Sequence, residues 1–185
     1  MTSRARVFRA PCQIEPVSLE PLILTARMDD AAFERFDAQR RAFFPPERNH
    51  LSAHITLFHH LDGARFGELD ARLEETAART APITVEVTGL RFLGHGVAYA
   101  LSAPRLEMLR AELLSAWRDT LTPQDLERIR PHVTVQNKVA PDMARETLAV
   151  LEARFAPWTF QITGLELWRY LGGPWAHLET FAFTG

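Results

Sequence analysis

The sequence predicts an α+β fold of two lobes related by an approximate two-fold axis, each giving one strand to a groove between them. Three landmarks, met twice in the same order, predict it. HITLFHH at 54–60 returns 78 positions later as HVTVQNK at 132–138. Leu24-Thr25-Ala26 and Leu101-Ser102-Ala103 each precede a helical stretch, Thr25 lying 29 residues before His54 and Ser102 lying 30 before His132. Thr88-Gly89-Leu90 is answered by Thr163-Gly164-Leu165. Recurrence in order at nearly equal spacing is the mark of internal duplication, and mixed strands and helices in each copy set the class.

Residues 1–21, with Pro11, Pro16 and Pro21, read as an extension, and 22–185 as one domain. Its first copy runs over about 22–96, its second over about 97–175, and a closing strand over 177–183. LILTARM (22–28) is an apolar run of strand length. DDAAFERFDAQRRAFF then opens on Asp29 and Asp30 and sets Phe33, Phe36, Arg40 and Phe43 at helical spacing, until Pro45 and Pro46 stop it. HITLFHHL is a strand, FGELDARLEETAART a helix, and ITVEVTGLRFLGH and VAYALSA are two strands separated near Gly94–Gly96. The second copy follows with helix PRLEMLRAELLSAWRDTL, strand HVTVQNKV, helix DMARETLAVLEARF, strand FQITGLELWRYLGG and the last strand HLETFAF.

With 185 residues, 46% hydrophobic, the chain can bury one good core or two small lobes. A net charge of −2 gives no overall basic field for nucleic acid or anionic lipid, but permits a local phosphate site. The single cysteine, Cys12, excludes an internal disulfide or a Cys-based metal site and fits a reducing cytosol. No apolar run approaches the ~20 residues of a membrane span, and the basic start MTSRARVFRAPC lacks an apolar signal core. The expectation is a cytoplasmic monomer with no membrane and no obligate protein partner. Lys138 is the one lysine beside twenty arginines, and it lies in the second motif.

Side chains alternate along a strand. His54, Thr56, Phe58 and His60 therefore share one face of the first motif, and His132, Thr134, Gln136 and Lys138 one face of the second, with Val133, Val135 and Val139 opposite. Imidazole titrates near ~6.5, so two across a phosphate can serve as general base and general acid, each transfer contributing roughly 10²–10⁴-fold. A threonine ~7 Å further along the same face can donate its hydroxyl to a non-bridging oxygen. Lys138 and Arg130 are candidates for added positive charge, Phe58 for stacking on a base, and Gln136 and His60 for lining the groove. His59, on the other face, reads as structural or at an edge, and His95 and His177 as structural; Tyr99, Trp168, Tyr170 and Trp175 read mostly as core, with one of them open to stacking on a base. The scheme needs no metal. A zinc site on His54 and His132 is its chemical rival, although no carboxylate has clear ligand spacing. A nucleotide- or RNA-end-binding module without turnover, and an interaction scaffold, are the rivals of other classes.

AHITLF and PHVTVQNKV resemble the paired His-x-Ser/Thr motifs of the 2H phosphoesterase superfamily, in particular its bacterial 2′-5′ RNA ligase-like branch, over roughly residues 20–183. The resemblance implies a bilobal α+β fold with two antiparallel sheets lining a central cleft and helices outside. It implies metal-independent, cofactor-free hydrolysis of 2′,3′-cyclic phosphates of RNA ends or small nucleotides to 2′-phosphates. His54 and His132 would be the proton-transfer pair and Thr56 and Thr134 the holders of phosphate oxygens. In the family scheme His132 activates water and His54 protonates the leaving 3′ oxygen, and the pseudo-symmetry allows exchange of these roles. Reversal with a 5′-hydroxyl in place of water would form a 2′-5′ linkage without ATP; no G-x-x-x-x-G-K-[ST] loop is in the sequence. One departure stands out. The family's second motif is commonly followed by an arginine, where this chain has Gln136, Asn137 and Lys138. Lysine lacks arginine's bidentate fork, which leaves RNA ends, small cyclic nucleotides and ADP-ribose-type phosphodiesters all open as substrates.

Overall fold

The computed structural model describes residues 20–185, so residues 1–19 of the extension, with Cys12, lie outside the described residues. The first copy forms β1 (Leu22–Met28), α1 (Asp30–Phe43), β2 (Ile55–Leu61), α2 (Phe66–Ala78) and β3 (Ile83–Phe92). The second forms β4 (Val97–Ser102), α3 (Pro104–Trp117), the short α4 (Pro123–Leu126), β5 (His132–Gln136), α5 (Pro141–Glu152) and β6 (Trp158–Tyr170), and β7 (Trp175–Ala182) follows. Asp29 caps α1 by accepting from Ala32 N–H at 2.9 Å, and its other oxygen accepts from Gln161 N–H at 2.7 Å, pinning the helix start to β6. Phe44, ahead of Pro45, turns extended at ψ 136°, as the residue before a proline must, and the helix ends there. Sequence periodicity does not reveal α4, a single capped turn too short to display any.

Among the described residues every strand pairing is antiparallel. The order is β2-β1-β6-β3-β4-β5, with β7 also on β6. Exchanging the copies turns β2 into β5, β1 into β4 and β6 into β3, and this order maps onto itself. The first strand of each copy pairs with the last strand of the other: β1 with β6, and β4 with β3. Strands of both halves thus run as one continuous hydrogen-bonded sheet, joined where β6 meets β3 at Ile83↔Ile162 through Val87↔Trp158. Helix α1, from the first copy, packs against β5 of the second. One apolar cluster, with Phe36, Ile55, Leu57, Leu73, Leu106, Val133, Val135 and Leu167 fully buried, spans both copies. Gly96 permits the tightest approach, since a Cβ there would meet the Gln136 carbonyl oxygen at 2.0 Å. Among the described residues no helix is long and apolar enough to cross a membrane.

Candidate active site

The two motif strands share an irregularity that sequence alternation does not reveal. On β2, Thr25 faces Thr56 but Leu24 faces Phe58, so Leu57 is an extra residue. On β5, Ala98 faces Thr134 but Val97 faces Gln136, so Val135 is the extra residue. Each His-x-Thr is therefore followed at once by a bulge, which bends the strand and re-aims what comes after it. Up to the bulge the alternation holds. His54, Thr56, His132 and Thr134 line one cavity of about 380 Å³.

Beyond the bulge five expectations need correction. Phe58 is fully buried, edge-on to Trp117 with ring centroids 5.4 Å apart, so it cannot stack on a base. Gln136 is only 2% exposed and donates through Nε2 to Thr147 Oγ1 at 2.8 Å, which makes it a core hydrogen bond and not a cleft contact. His59, read as structural, lines the cavity with both motif pairs, whereas His60 lines a separate surface pocket beside Asp62 and Thr122. Lys138 does not lie on the strand, which stops at Gln136; it takes a left-handed φ of 62° in the following turn. From that turn it lines an adjoining pocket with Arg40, His54, Thr134 and Asn137. Arg130 lines the main cavity.

The imidazoles are held alike. His54 Nδ1 lies 2.7 Å from the Ser52 carbonyl oxygen and His132 Nδ1 lies 2.9 Å from that of Arg130, in each case two residues upstream. A carbonyl only accepts, so each Nδ1 carries its hydrogen and each Nε2 is left for the cleft. Enclosure pushes the His54 imidazole down to about 4, helped by nearby Arg40, His132 and His59 and opposed by the Ser52 carbonyl. Solvent still touches one edge of the ring, but Trp175 packs against it at 4.8 Å between centroids, so loss of hydration governs. His132 is lowered for the same first reason, with Arg91 and His59 adding to it against the Arg130 carbonyl.

Two of the aromatics read mostly as core form a cavity wall instead. Trp168 and Trp175, 6.3 Å apart by centroid, are half-buried and line a second cavity of about 370 Å³ that adjoins His54 and also contains Phe33, Arg27 and Glu166. Trp168 is fixed by its Nε1–H donating to Thr25 Oγ1 at 2.8 Å. Burial pushes the Glu166 carboxyl up, against the pull of His177 and Arg27. Trp175 reaches His54 because the turn at Gly172, φ 80°, folds β7 back along β6, a long-range consequence that neither residue announces locally. Tyr99 is in the core, as read, and His95 and His177 sit at turn and strand positions away from the motif cavity.

Buried polar side chains support this site, and sequence pattern alone does not single them out. Arg40 donates to Thr134 O at 2.8 Å, and Arg110 donates to Leu57 O at 2.9 Å, so each bulge is bonded by an arginine from a helix of the other copy. Asp125, whose side chain is wholly buried, accepts from the backbone N–H of His59 and His60 at 2.8 and 2.9 Å. The one local signal for it is Thr122-Pro-Gln-Asp125, a helix-opening pattern, which says nothing of where the carboxylate points. Among the described residues no three His, Cys, Asp or Glu side chains gather as metal ligands would.

An antiparallel α+β fold with two symmetric His-x-Thr strands facing one cavity is that of the 2H phosphoesterases. The chain belongs to the 2′-5′ RNA ligase superfamily, whose family model matches residues 28–174. Similar solved structures include TT0787 of Thermus thermophilus, at 18% identity and a TM-score of 0.61 over 89% of this chain and 98% of that one. A phosphoesterase is similar at 19% identity and 0.61, over 91% and 100%. LigT of E. coli complexed with 3′-AMP is similar at 18% and 0.57, over 90% and 98%. At such identities the likeness is one of fold. No curated protein sequence matches the chain.

Proposed function

We propose that this chain is a phosphodiesterase that opens 2′,3′-cyclic phosphates of RNA ends or nucleotides to 2′-phosphates by a two-histidine mechanism. The observation that carries this reading is the matched pair of imidazoles, each with Nδ1 bound to a backbone carbonyl and Nε2 left for one shared cavity. In the reaction one Nε2 takes a proton from water as the water oxygen bonds to phosphorus. The other, protonated at the start, gives its proton to the 3′ oxygen as the P–O3′ bond breaks. The two imidazoles thereby exchange protonation states. Thr56 and Thr134 donate their hydroxyls to non-bridging oxygens, where charge grows in the transition state. A 5′-hydroxyl replacing water in the same step, its proton taken by one Nε2 as P–O3′ breaks, forms a 2′-5′ linkage. The wall of Trp168 and Trp175 suits a nucleobase, because any base offers a π-face. LigT of E. coli, of similar fold, has been crystallised with 3′-AMP, NADP⁺ and ATP, which supports a ligand of nucleotide shape.

The test is turnover of the four nucleoside 2′,3′-cyclic monophosphates and of an RNA oligonucleotide with a cyclic 3′ end, with a chelator present and 2′- resolved from 3′-phosphate products. A 2′-phosphate is expected, with rates unchanged by the chelator. Tight binding of all these ligands with no turnover of any would replace the enzyme with a binding module. The pH dependence follows from the imidazoles. Catalysis needs one neutral and one protonated ring, and in the free protein His54 titrates near 4 and His132 below its usual 6.5. Both rings are lowered, so the singly protonated cleft is lost as pH rises through the higher of the two, which lies below 6.5. The kcat/KM profile should therefore peak on the acid side of 6.5 and fall about tenfold per pH unit beyond its alkaline limb. A peak above about pH 7.5 would contradict the pairing.

A further inference from the structure

We propose that His59, positioned by Asp125, is a third imidazole of the cleft and donates its Nε2–H to a phosphate oxygen at the His132 end. This rests on the reading that the cleft receives a phosphate. The bulge at Leu57 turns His59 toward the cavity, where it lies with His132 and Arg130. Its side chain is 49% exposed, so the ring is open to a ligand. Its Nδ1 faces Asp125 Oδ1 at 3.3 Å, and the same carboxylate holds the backbone N–H groups of His59 and His60. When the ring carries both hydrogens, one is directed at Asp125 and the other at the cavity.

Asp125 is built into the fold for this position. Its side chain is completely buried, which is costly for a carboxylate unless it is bonded on several sides. Burial pushes its carboxyl up, but the His59 ring and the two backbone N–H groups outweigh that and bring it below the usual value. Arg110 fixes both parts from behind, with Nε on Leu57 O at the bulge and Nη2 on Asp125 O at 2.5 Å. The charged groups that line the cavity are mostly cationic: Arg110, Arg128 and Arg130, against the carboxylate of Glu127. The duplication sharpens the assignment. His59 stands three residues after Thr56, as Asn137 stands three after Thr134, and both follow a bulge. Where the second copy has a neutral amide, just past the end of its motif strand, the first has an imidazole backed by a carboxylate.

The test is titration with inorganic phosphate, followed by calorimetry and by long-range ¹H–¹⁵N spectra of the histidine rings. Wild type should show His59 with hydrogen on Nδ1 and a shift at Nε2 as phosphate binds. His59→Ala should weaken phosphate binding about tenfold, as for loss of one charge-assisted hydrogen bond, and His59→Arg should restore most of it. Asp125→Asn should weaken it several-fold and change the His59 ring spectrum; if that variant fails to fold, the His59 variants still decide. Unchanged phosphate affinity in His59→Ala, or a His59 ring that does not respond to phosphate, would overturn the proposal. Loss that His59→Arg does not recover would assign His59 a packing role and overturn it too. Since binding is read without turnover, a protein that fails to open cyclic phosphates leaves this test intact.

Discussion

His132→Ala is expected to lower kcat by about 10²–10⁴-fold, the usual worth of a general acid or base, while a nucleoside 2′-phosphate still binds within a few-fold of wild type. His54→Ala should do the same. Both rings are half-buried and directed into the cleft, so truncation leaves the core cluster as it is and changes stability by about ±0.5 kcal/mol or little more. The double variant should be hardly worse than either single one, because a proton donor without its acceptor partner completes no cycle. Single-turnover rates on a cyclic-ended RNA, with calorimetry on the 2′-phosphate product, check all three. Losses under tenfold in either single variant, or losses that multiply in the double, would mean that the rings do not work as a pair. Thr56→Ala and Thr134→Ala should fall between these variants and wild type, since a neutral hydroxyl donor contributes less than a proton transfer.

That pair is legible in the sequence for a physical reason with a definite limit. Alternation with period two is reliable only while the strand stays in register with its neighbour. Over Ile55 and Thr56, with His54 just ahead of the strand, and from His132 to Thr134 it does, and the four side chains fall together. At Leu57 and Val135 an inserted residue breaks the register, and every assignment beyond it by parity changes: Phe58 and Gln136 go inward, His59 comes outward, and Lys138 leaves the strand. Whether a strand bulges depends on its partner, and the partner of β2 is β1, on the far side of the whole of α1. The duplication is legible because it is written in landmarks at matched spacing. What it does to the sheet is not, since the pairing of β1 with β6 and the placing of α1 on β5 are choices of topology. Trp175, Arg40, Arg110 and Asp125 act through such long-range contacts. Each alone reads as an ordinary aromatic, helix cation or capping residue.

Arg40→Met is expected to cost about 3–5 kcal/mol of stability, the scale for removing one member of a buried charged network. The residue is 4% exposed, and enclosure lowers its guanidinium from the usual value against the pull of Asp37. It has no slack: Nε donates to Asn49 Oδ1 and to Leu51 O, both at 2.8 Å, Nη1 donates to Thr134 O at 2.8 Å, and the plane lies over Phe44 at 4.2 Å. These partners belong to α1, to the segment that delivers His54, and to the bulge after the second motif. One side chain therefore sets the distance between the two halves of the proposed catalytic pair. Methionine would fill the space but leave the Leu51 and Thr134 carbonyls without this donor and Asp37 without its buried neighbour. Against a typical total of about 5–15 kcal/mol, the variant should still fold at low temperature. Arg40→Lys keeps the charge but offers a compact ammonium to acceptors spread around a planar fork, and should lie between. The measurement is the urea midpoint of each variant, with kcat and KM taken where each is fully folded. The expected pattern is a lowered midpoint together with a fall in kcat larger than the rise in KM, because displaced imidazoles harm proton transfer before they harm binding. An unchanged midpoint in Arg40→Met would show that the two motif strands are held together by the sheet alone. Arg110→Met tests the same device from the opposite copy, through Leu57 O and Asp125 O. Two independent struts would give stability losses that add, whereas coupling of the strands through the cleft would make the double variant depart from the sum by about 0.5–3 kcal/mol.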